Sequence, residues 1–263
     1  MTNVKNTKNL KKGLVVKIME NQVNLDTAKY DEFLRVLLIL KDICNDVDIR
    51  DGFIRQRTND SATVFEIDLT SIISNMSLSI SELKNKLDIF KCFAGEEVSI
   101  STTNDCFVIS DQYSMLKIKN PILEFMDNKY ISQEELSRVI SPNQEDLILS
   151  TKISKKISDR MRVISSSFHI NSIQTIFNGE TASISCSTQS KDNFAKFVND
   201  IVSNKELNHS TNLVITPFVI DHDGDITFEM FDSRNNVVIN SFSTTVGSIN
   251  LNLYARASMV ENE

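Results

Sequence analysis

The sequence predicts an α+β protein built from two similar halves, each an antiparallel sheet with one or two helices. Between residues 14 and 118, helical and alternating apolar spacing indicates the order strand, helix, strands twice over. The same order returns after residue 147. Residues 119–146 carry two of the three prolines and only isolated apolar residues, which is typical of a connector with at most a short helical turn at 132–139.

Residues 78–118 form the clearest unit. Ser81 is suited to cap the start of a helix, and Ala94-Gly95 is suited to end it. The apolar residues of that helix recur at helical spacing: Leu83, Leu87 and Phe90. Alternation then predicts strands at 98–102, 107–109 and 115–118. A short amphipathic helix and a small meander cannot bury both faces alone, so the unit belongs to a larger layered sheet.

The preceding residues have the same order. The run LVVKIM at 14–19 predicts a strand, and Asp26 or Thr27 begins a helix that extends to Cys44. That helix has a broad apolar face: Tyr30, Phe33, Leu34, Leu37, Leu40 and Cys44. Short strands follow at 47–51, 53–57 and 63–69.

The second half repeats this plan. A strand at 147–152 precedes a helix that Ser154 caps and that ends near Phe168. Its apolar stripe consists of Ile153, Ile157, Met161, Ile164 and Phe168. Strands are then predicted at 172–177, 181–188, 194–202, 213–219, 226–231, 236–242 and 249–257. The second helix of this half is reduced to something near FVIDHDGD, at 218–225.

Composition is that of a soluble globular protein, with 41% hydrophobic and 24% charged residues. No apolar run approaches the roughly 18 residues that a membrane helix needs. The start of the chain is basic but lacks the apolar core of a signal peptide. The four cysteines are scattered without a CxxC pair, so we expect reduced thiols and a cytoplasmic location.

Motifs that carry catalysis are missing from the sequence. The three histidines lack metal-ligand spacing, and no glycine-rich phosphate loop is present. The segment DHDGD at 221–225 is similar to part of a calcium loop, but the downstream glutamate is not at the required spacing, so a turn is expected. We therefore expect no enzyme, no catalytic residue, no cofactor and no metal.

Basic residues concentrate on two of the predicted helices, although the net charge of the chain is −7. Within 152–168, a single acid, Asp159, stands against five cations: Lys152, Lys155, Lys156, Arg160 and Arg162. Lys155 and Arg162, seven residues apart, share the polar face, and Lys84 and Lys91 have the same spacing on helix 81–93. Such faces bind phosphate or are simply solvated, and the same alternatives hold for the basic tail 1–12. Helix 27–44 differs, because acids accompany Arg35 on its outward side.

Three segments together match the pattern of a known family. The first is LDTAKYDEFLRVLLILKDICNDVDIRDGFIRQRTND, in which a helix is followed by two strands joined by a tight turn. The second is LSISELKNKLDIFKCFAGEEVSISTTNDCFVISDQ, in which a helix ends in the pattern KC-AG-E and a later strand has the pattern I-D. The run NNVVINSFSTTVGSINLNLYARA has the form of a last hairpin. The chain resembles the ring-forming DNA sliding clamps, the proliferating cell nuclear antigen and the clamps of T-even-like phages. The reduced last helix makes the phage version more similar.

The resemblance implies a DNA clamp fold of two similar domains, with helices lining the interior of a ring. With the basic residues 1–12 and the proline-containing connector found above, the expected division is a flexible basic tail (1–12), an N-terminal clamp domain (13–119), an interdomain connector (120–146) and a C-terminal clamp domain (147–263). The ring would be a homotrimer on duplex DNA, independent of sequence, with a DNA polymerase and a clamp loader as partners. The DNA-binding residues would be Lys155, Arg162, Lys156, Lys152, Arg160, Lys84 and Lys91.

The resemblance also implies two protein-contact sites. Neighbouring subunits would pair strand 113–118 with strand 194–202, through Tyr113, Met115, Phe194, Lys196 and Phe197. Partner peptides would dock in a pocket between the connector and the last hairpin, lined by Ile122, Leu123, Phe125, Val237, Val238, Leu253 and Tyr254. Some of these pocket residues could be plain core, because alternation prevents Val237 and Val238 from facing one side together.

Two other classes of protein remain open. One is a non-enzymatic β-rich viral structural or assembly protein, and the other is an enzyme with an unrecognised site. A clamp forms a ring-sized oligomer that stays on circular DNA, whereas a virion protein does neither and an enzyme needs a pocket with convergent polar groups. The abundance of Asn, Ile, Ser and Lys indicates an AT-rich, viral genome and hence an infected host cell.

Overall fold

The first half of the chain contains two strand–helix–strand units in succession. The structure is a computed structural model that describes residues 21–59, 63–103, 106–119, 130–140, 144–170, 172–178, 181–187, 194–200, 202–203, 209–213, 220–232 and 237–261. The first-half elements are β1 (Asn21–Leu25), α1 (Thr27–Leu40), β2 (Val47–Arg50), β3 (Phe53–Arg57), β4 (Thr63–Asp68), β5 (Leu78–Ile80), α2 (Leu83–Lys91), β6 (Val98–Thr103), β7 (Cys106–Ser110) and β8 (Met115–Lys119).

The rest of the chain, connector and second half together, contains two α-helices, one 3-10 helix (Gln144–Asp146) and nine strands within the described residues. Its elements are α3 (Gln133–Ile140), β9 (Leu147–Ile153), α4 (Lys155–Phe168), β10 (Ser172–Asn178), β11 (Thr181–Ser187), β12 (Phe194–Asp200), β13 (Val202–Ser203), β14 (His209–Leu213), β15 (Ile226–Asp232), β16 (Val237–Val246) and β17 (Ile249–Glu261). The short helix predicted in the connector is confirmed as α3.

The long strand β17 joins the two halves. It pairs with β16 on one side, while on the other side its first part pairs with β4 and its last residues pair with β14. The large sheet has the order β12-β11-β10-β14-β17-β16-β15-β9-β13, and first-half strands β4, β3, β2 and β5 continue from β17. A separate sheet has the order β1-β6-β7-β8. Backbone hydrogen bonding is therefore continuous between the halves.

One hydrophobic cluster extends through both halves and fixes α1 against α2. The ring of Phe90 lies edge-on to Phe33, with centroids 6.5 Å apart, and stacks on Phe107 at 5.9 Å. The hydroxyl of Tyr30 donates to the carbonyl oxygen of Phe90 at 2.8 Å. Burial raises the pKa of the Tyr30 phenol, which keeps it a neutral donor.

A smaller hydrophobic cluster lies on the opposite face of the sheet. Along β4, Phe65 and Ile67 enter the main cluster, whereas Val64 enters the smaller one, as alternation requires. The other buried members are Ile131, Leu136, Phe231 and Ile239. Helix α3 is thereby packed on the sheet face that points away from α1 and α4.

The predicted α+β class is confirmed, but several boundaries are wrong. Strand β1 is absent from the sequence prediction, and the predicted strand 14–19 lies outside the described residues. Helix α1 ends at Leu40 instead of Cys44, because a turn follows it. Of the predicted strand 213–219, the described residues include only its first, which is the last residue of β14.

The start of α2 also differs from the prediction. The helix is preceded by Glu82, whose left-handed φ of 52° turns the chain, and not by a capping Ser81. Asp46 Oδ1 accepts the N–H of Glu82 at 3.0 Å, while Ser81 Oγ accepts from Lys86 Nζ at 2.7 Å. Asp46 therefore binds the backbone of the residue before the helix, and α2 begins without a side-chain cap.

Candidate nucleic-acid interface

Helix α4 carries the densest group of cations, and two side chains fix its N-terminus. Ser154 Oγ accepts the N–H of Ile157 at 3.4 Å, and Asp225 Oδ1 accepts the N–H of Lys155 at 2.8 Å. Both satisfy backbone donors that the first turn of a helix leaves unpaired. At the other end, His169 adopts a left-handed conformation with φ 50°.

The buried face of α4 differs from the predicted apolar stripe. Met161 is fully buried with Ser158 and Ser165 beside it, whereas Phe168 is 46% exposed. Ser158 tolerates burial because its Oγ lies 2.6 Å from Nε2 of His222. Placing Phe168 in the stripe is therefore wrong, since the helix turns its serine side toward the core.

His222 anchors the segment 220–225 beneath α4. Its Nδ1 lies 2.7 Å from the carbonyl oxygen of Gly224, which can only accept, so Nδ1 carries the proton and Nε2 accepts from Ser158 Oγ. The side chain is 1% exposed, and burial lowers the pKa of His222 below its ordinary value. The segment is thus held to α4 by a neutral imidazole.

Lys155 and Arg162, two predicted DNA-binding cations, are engaged in ion pairs. Arg162 Nη1 lies 2.5 Å from Asp221 Oδ1 and its Nη2 lies 3.1 Å from Asp159 Oδ1. Lys155 Nζ also pairs with Asp159 Oδ1. The other predicted cations of this region are exposed and have no carboxylate partner within the described residues: Lys152, Lys156 and Arg160. Lys156 and Arg160 carry the open cationic surface of α4, whereas Lys152 belongs to β9, where alternation places it on the sheet face opposite the core-facing Ile153.

Helix α2 places its two predicted cations near its ends. Lys84 is exposed in the first turn. Lys91, 48% exposed in the last turn, has its Nζ 2.8 Å from Asp88 Oδ1. A surface pair of this kind is weak, so both lysines remain accessible to an external anion.

The polar face of α1 contacts the second half of the chain. Arg35 Nη1 and Nη2 bind the two carboxylate oxygens of Asp223 at 2.7 and 2.8 Å. Glu32 accepts the N–H and the hydroxyl of Ser248 at 3.1 and 2.7 Å. Bidentate and charge-assisted hydrogen bonds are strong and directional. The mixed charge of this helix, unlike that of the other two, therefore serves contacts between the halves.

The aspartates in these pairs are held in their ionised form. The hydrogen bond from Arg35 lowers the pKa of Asp223, and the hydrogen bond from Lys155 lowers the pKa of Asp159. Burial raises the pKa of Asp221, but the hydrogen bond and charge of Arg162 outweigh it, so the net shift is downward.

The segment 220–225 is an ion-pairing element that sequence reasoning identified only as a turn. The available signal was the alternation of three acids: Asp221, Asp223 and Asp225. Nothing in that pattern shows which cations the acids meet. No group of three or more His, Cys, Asp or Glu side chains that could hold a metal occurs among the described residues.

Strands β8 and β12, which contain the predicted subunit contacts, lie at sheet edges. Within the described residues β8 pairs only with β7, and β12 pairs only with β11. Tyr113 is 81% exposed and Met115 68% exposed. Lys196 is exposed, whereas the side chains of Phe194 and Phe197 lie outside the described part. Edges with unpaired backbone groups and exposed apolar side chains are suited to pairing with another chain.

The residues predicted to line the peptide pocket do not all face one surface. Ile122, Leu123 and Phe125 lie outside the described residues, as does the side chain of Val237. Val238 and Leu253 are each 1% exposed in the main core, so they do not reach the outer surface. Tyr254 is half-buried and packs against the smaller cluster beside α3. Desolvation in this position raises the pKa of Tyr254 to about 12.

This arrangement of sheets and helices is the fold of DNA sliding clamps, as comparison with solved structures shows. The PCNA2–PCNA3 complex from Sulfolobus tokodaii matches with a TM-score of 0.58 and 12% identity, over 90% of this chain and 99% of that chain. PCNA from Entamoeba histolytica matches with a TM-score of 0.58 and 14% identity, over 90% and 98%. A. fulgidus PCNA bound to the C-terminal region of FEN-1 gives 0.60 and 10%, over 92% and 99%.

The predicted clamp fold is therefore confirmed, at sequence identities that show the fold alone. No protein-family model matches the sequence, and a search of curated proteins found no match. No helix in the described ranges is long and apolar enough to cross a membrane.

Proposed function

We propose that the chain is one subunit of a ring-shaped DNA sliding clamp that encircles duplex DNA and tethers a replicative polymerase. The observation that carries this proposal is the clamp fold, shared over 98–99% of the length of the PCNA chains. In this role the protein is a scaffold and not an enzyme. Its domains would be 13–119 and 147–263, joined by the connector 120–146.

The DNA-binding surface in this proposal consists of cations on α4 and α2. Lys156 and Arg160 of α4 are exposed, and so is Lys84 of α2. Loose, sequence-independent contacts to phosphate need such accessible cations and no base-reading geometry. Lys155, Arg162 and Lys91 belong to the same surface, but each already has a carboxylate partner.

Ring closure in this proposal joins β8 of one subunit to β12 of the next. Both strands offer an unpaired edge, and the exposed Tyr113 and Met115 adjoin the β8 edge. A head-to-tail contact of this kind closes into a ring when the rotation fits, here with three subunits.

Partner peptides from a polymerase and a clamp loader would dock beside the connector. Tyr254 and the smaller cluster under α3 supply an apolar base on the outer sheet face. Ile122, Leu123 and Phe125 would form the opposite wall, and Leu123→Ala with Phe125→Ala would weaken peptide binding. The composition fits an AT-rich viral genome, so the proposed place of action is the cytoplasm of an infected cell.

The proposal is tested by topological retention on DNA. The protein is allowed to thread onto bead-tethered linear duplex, the free end is then blocked with a bulky protein, and the beads are washed in high salt. A ring stays on blocked DNA and leaves open DNA. Sedimentation of the same sample should show three times the 29.8 kDa chain mass. A monomer that leaves both DNAs equally would refute the proposal.

Charge-reversal variants then locate the DNA-binding surface. Lys156→Glu with Arg160→Glu should lower the affinity for a linear duplex at low salt, measured by fluorescence anisotropy, because phosphate contacts are lost. The matched control is Arg57→Glu with Arg256→Glu, which makes the same charge change at exposed positions. Arg57 shares the β3 face of Arg55, opposite the core-facing Ile54, and Arg256 shares the β17 face of Tyr254. Equal loss in both variants would reject the assignment to α4.

A further inference from the structure

A cation of α4, a helix of the proposed DNA surface, is bridged to a cation of α1 by a carboxylate of the protein itself. Asp221 lies between Arg162 of α4, at 2.5 Å, and Arg35 of α1, at 3.6 Å. Asp159 contacts Arg162 from the other side at 3.1 Å and also pairs with Lys155. One guanidinium is thus flanked by two aspartates.

The third carboxylate of this network has an additional backbone partner. Asp223 binds Arg35 in a bidentate manner and accepts the N–H of Gly247 at 2.6 Å. Asp223 therefore also fixes the turn between β16 and β17. Asp221, with its side chain 54% exposed, has only guanidinium groups as hydrogen-bond and ion-pair partners among the described residues.

We infer that Asp159 and Asp221 act as internal competitors of DNA phosphate and limit how tightly the protein holds DNA. The inference rests on the clamp function proposed above. A phosphate that approaches Arg162 meets a guanidinium that already has two anionic partners, so it must displace one of them or bind a cation of reduced effective charge. Loose binding of this kind lets a ring slide.

The exposure of Asp159 and Asp221 indicates that their ion pairs contribute little to folding. A surface ion pair contributes little to stability, and both carboxylates sit on exposed side chains, 41% for Asp159 and 54% for Asp221. The two acids do, however, reduce the positive charge of α4, the helix that carries the exposed cations Lys156 and Arg160. Their removal should therefore affect anion binding much more than folding.

The test uses Asp221→Asn and Asp159→Asn as separate variants, with Asp51→Asn as the control. Asp51 is exposed in the turn between β2 and β3, where its φ of 52° suits asparagine, and the charge change is the same. Binding of each full-length protein to a fluorescent linear duplex is measured by anisotropy between about 50 and 200 mM salt. Circular dichroism checks that the variants are folded.

Each cation that gains a phosphate contact should steepen the slope of log affinity against log salt by about 0.9. Asp221→Asn and Asp159→Asn should therefore bind about 3-fold or more tightly at low salt and lose about 3-fold more affinity over this range than the unmodified protein. Asp51→Asn should match the unmodified protein.

Three results would overturn the inference. Asp221→Asn and Asp159→Asn could behave like Asp51→Asn, which would show that the aspartates do not compete with phosphate. They could bind more weakly, which would make the network a support for the DNA surface. If the unmodified protein is retained on end-blocked DNA, either result rejects the competition alone. If no protein is retained or binds duplex at any salt, the clamp function fails and the inference falls with it.

Discussion

Acidification should destabilise this protein through His222, and His222→Gln should remove that effect. The imidazole is 1% exposed, donates from Nδ1 to Gly224 and accepts at Nε2 from Ser158. Lys155, Asp159 and Arg162 are the charged groups of α4 whose charges affect its titration. Burial and the two cations lower the pKa of His222, and together they outweigh the hydrogen bond to Gly224 and the charge of Asp159, which raise it.

The magnitude follows from proton linkage. The pKa of the folded state lies below the ordinary 6.5, so below pH 6.5 the unfolded chain binds more protons at this site and stability falls with pH. The slope is at most about 1.4 kcal/mol per pH unit. Between pH 7.5 and 5.5 the loss attributable to His222 is therefore at most about 1.4 kcal/mol, because the effect is nearly absent above pH 6.5.

Urea unfolding followed by circular dichroism measures this loss, at one fixed protein concentration because the proposed subunits associate. The quantity of interest is the change in unfolding free energy between the two pH values, compared between the unmodified protein and His222→Gln. His169→Asn is the control, since His169 is exposed with φ 50°, a conformation that asparagine tolerates. Equal pH dependence in His222→Gln and the unmodified protein would refute the reasoning.

Two further predictions concern packing near the same helices. Tyr30→Phe should lower the unfolding free energy by about 1 kcal/mol, because the buried bond to the carbonyl of Phe90 is lost, and thermal unfolding would show it. Met161→Ala should cost about 2–5 kcal/mol in urea unfolding, because the side chain is fully buried, whereas Val163→Ala at a 61% exposed position of the same helix should change stability by under about 0.5 kcal/mol. Similar values for the last two would contradict the orientation of α4.

Local pattern was sufficient for most elements of the fold. The period of Phe33, Leu37 and Leu40 predicts α1, and all three are buried. Alternation predicts β17, whose Leu251 and Leu253 enter the core. The order of elements also indicated the clamp fold. The predicted cap of α2 was wrong, because Ser81 binds Lys86 and the chain enters the helix through Glu82, whose N–H binds the distant Asp46.

The peptide pocket shows a second kind of failure. Val238 and Leu253 were predicted to line the pocket, but strand alternation directs both into the main core. Tyr254, one residue further along, faces the smaller cluster instead. Side chains alternate along a strand, so knowing which way one residue faces fixes the orientation of all the others. The sequence does not show which way the first one faces.

By itself the sequence determined the types of the elements, their order and the concentration of cations on residues 152–168, because apolar period and charge are local properties of the chain. Tertiary structure alone decided which of those cations are free. Asp221 meets Arg162 across a separation of 59 residues, and Asp223 meets Arg35 across 188. Ion pairing depends on distance through space, so it appears only when the sheet has brought the two halves together.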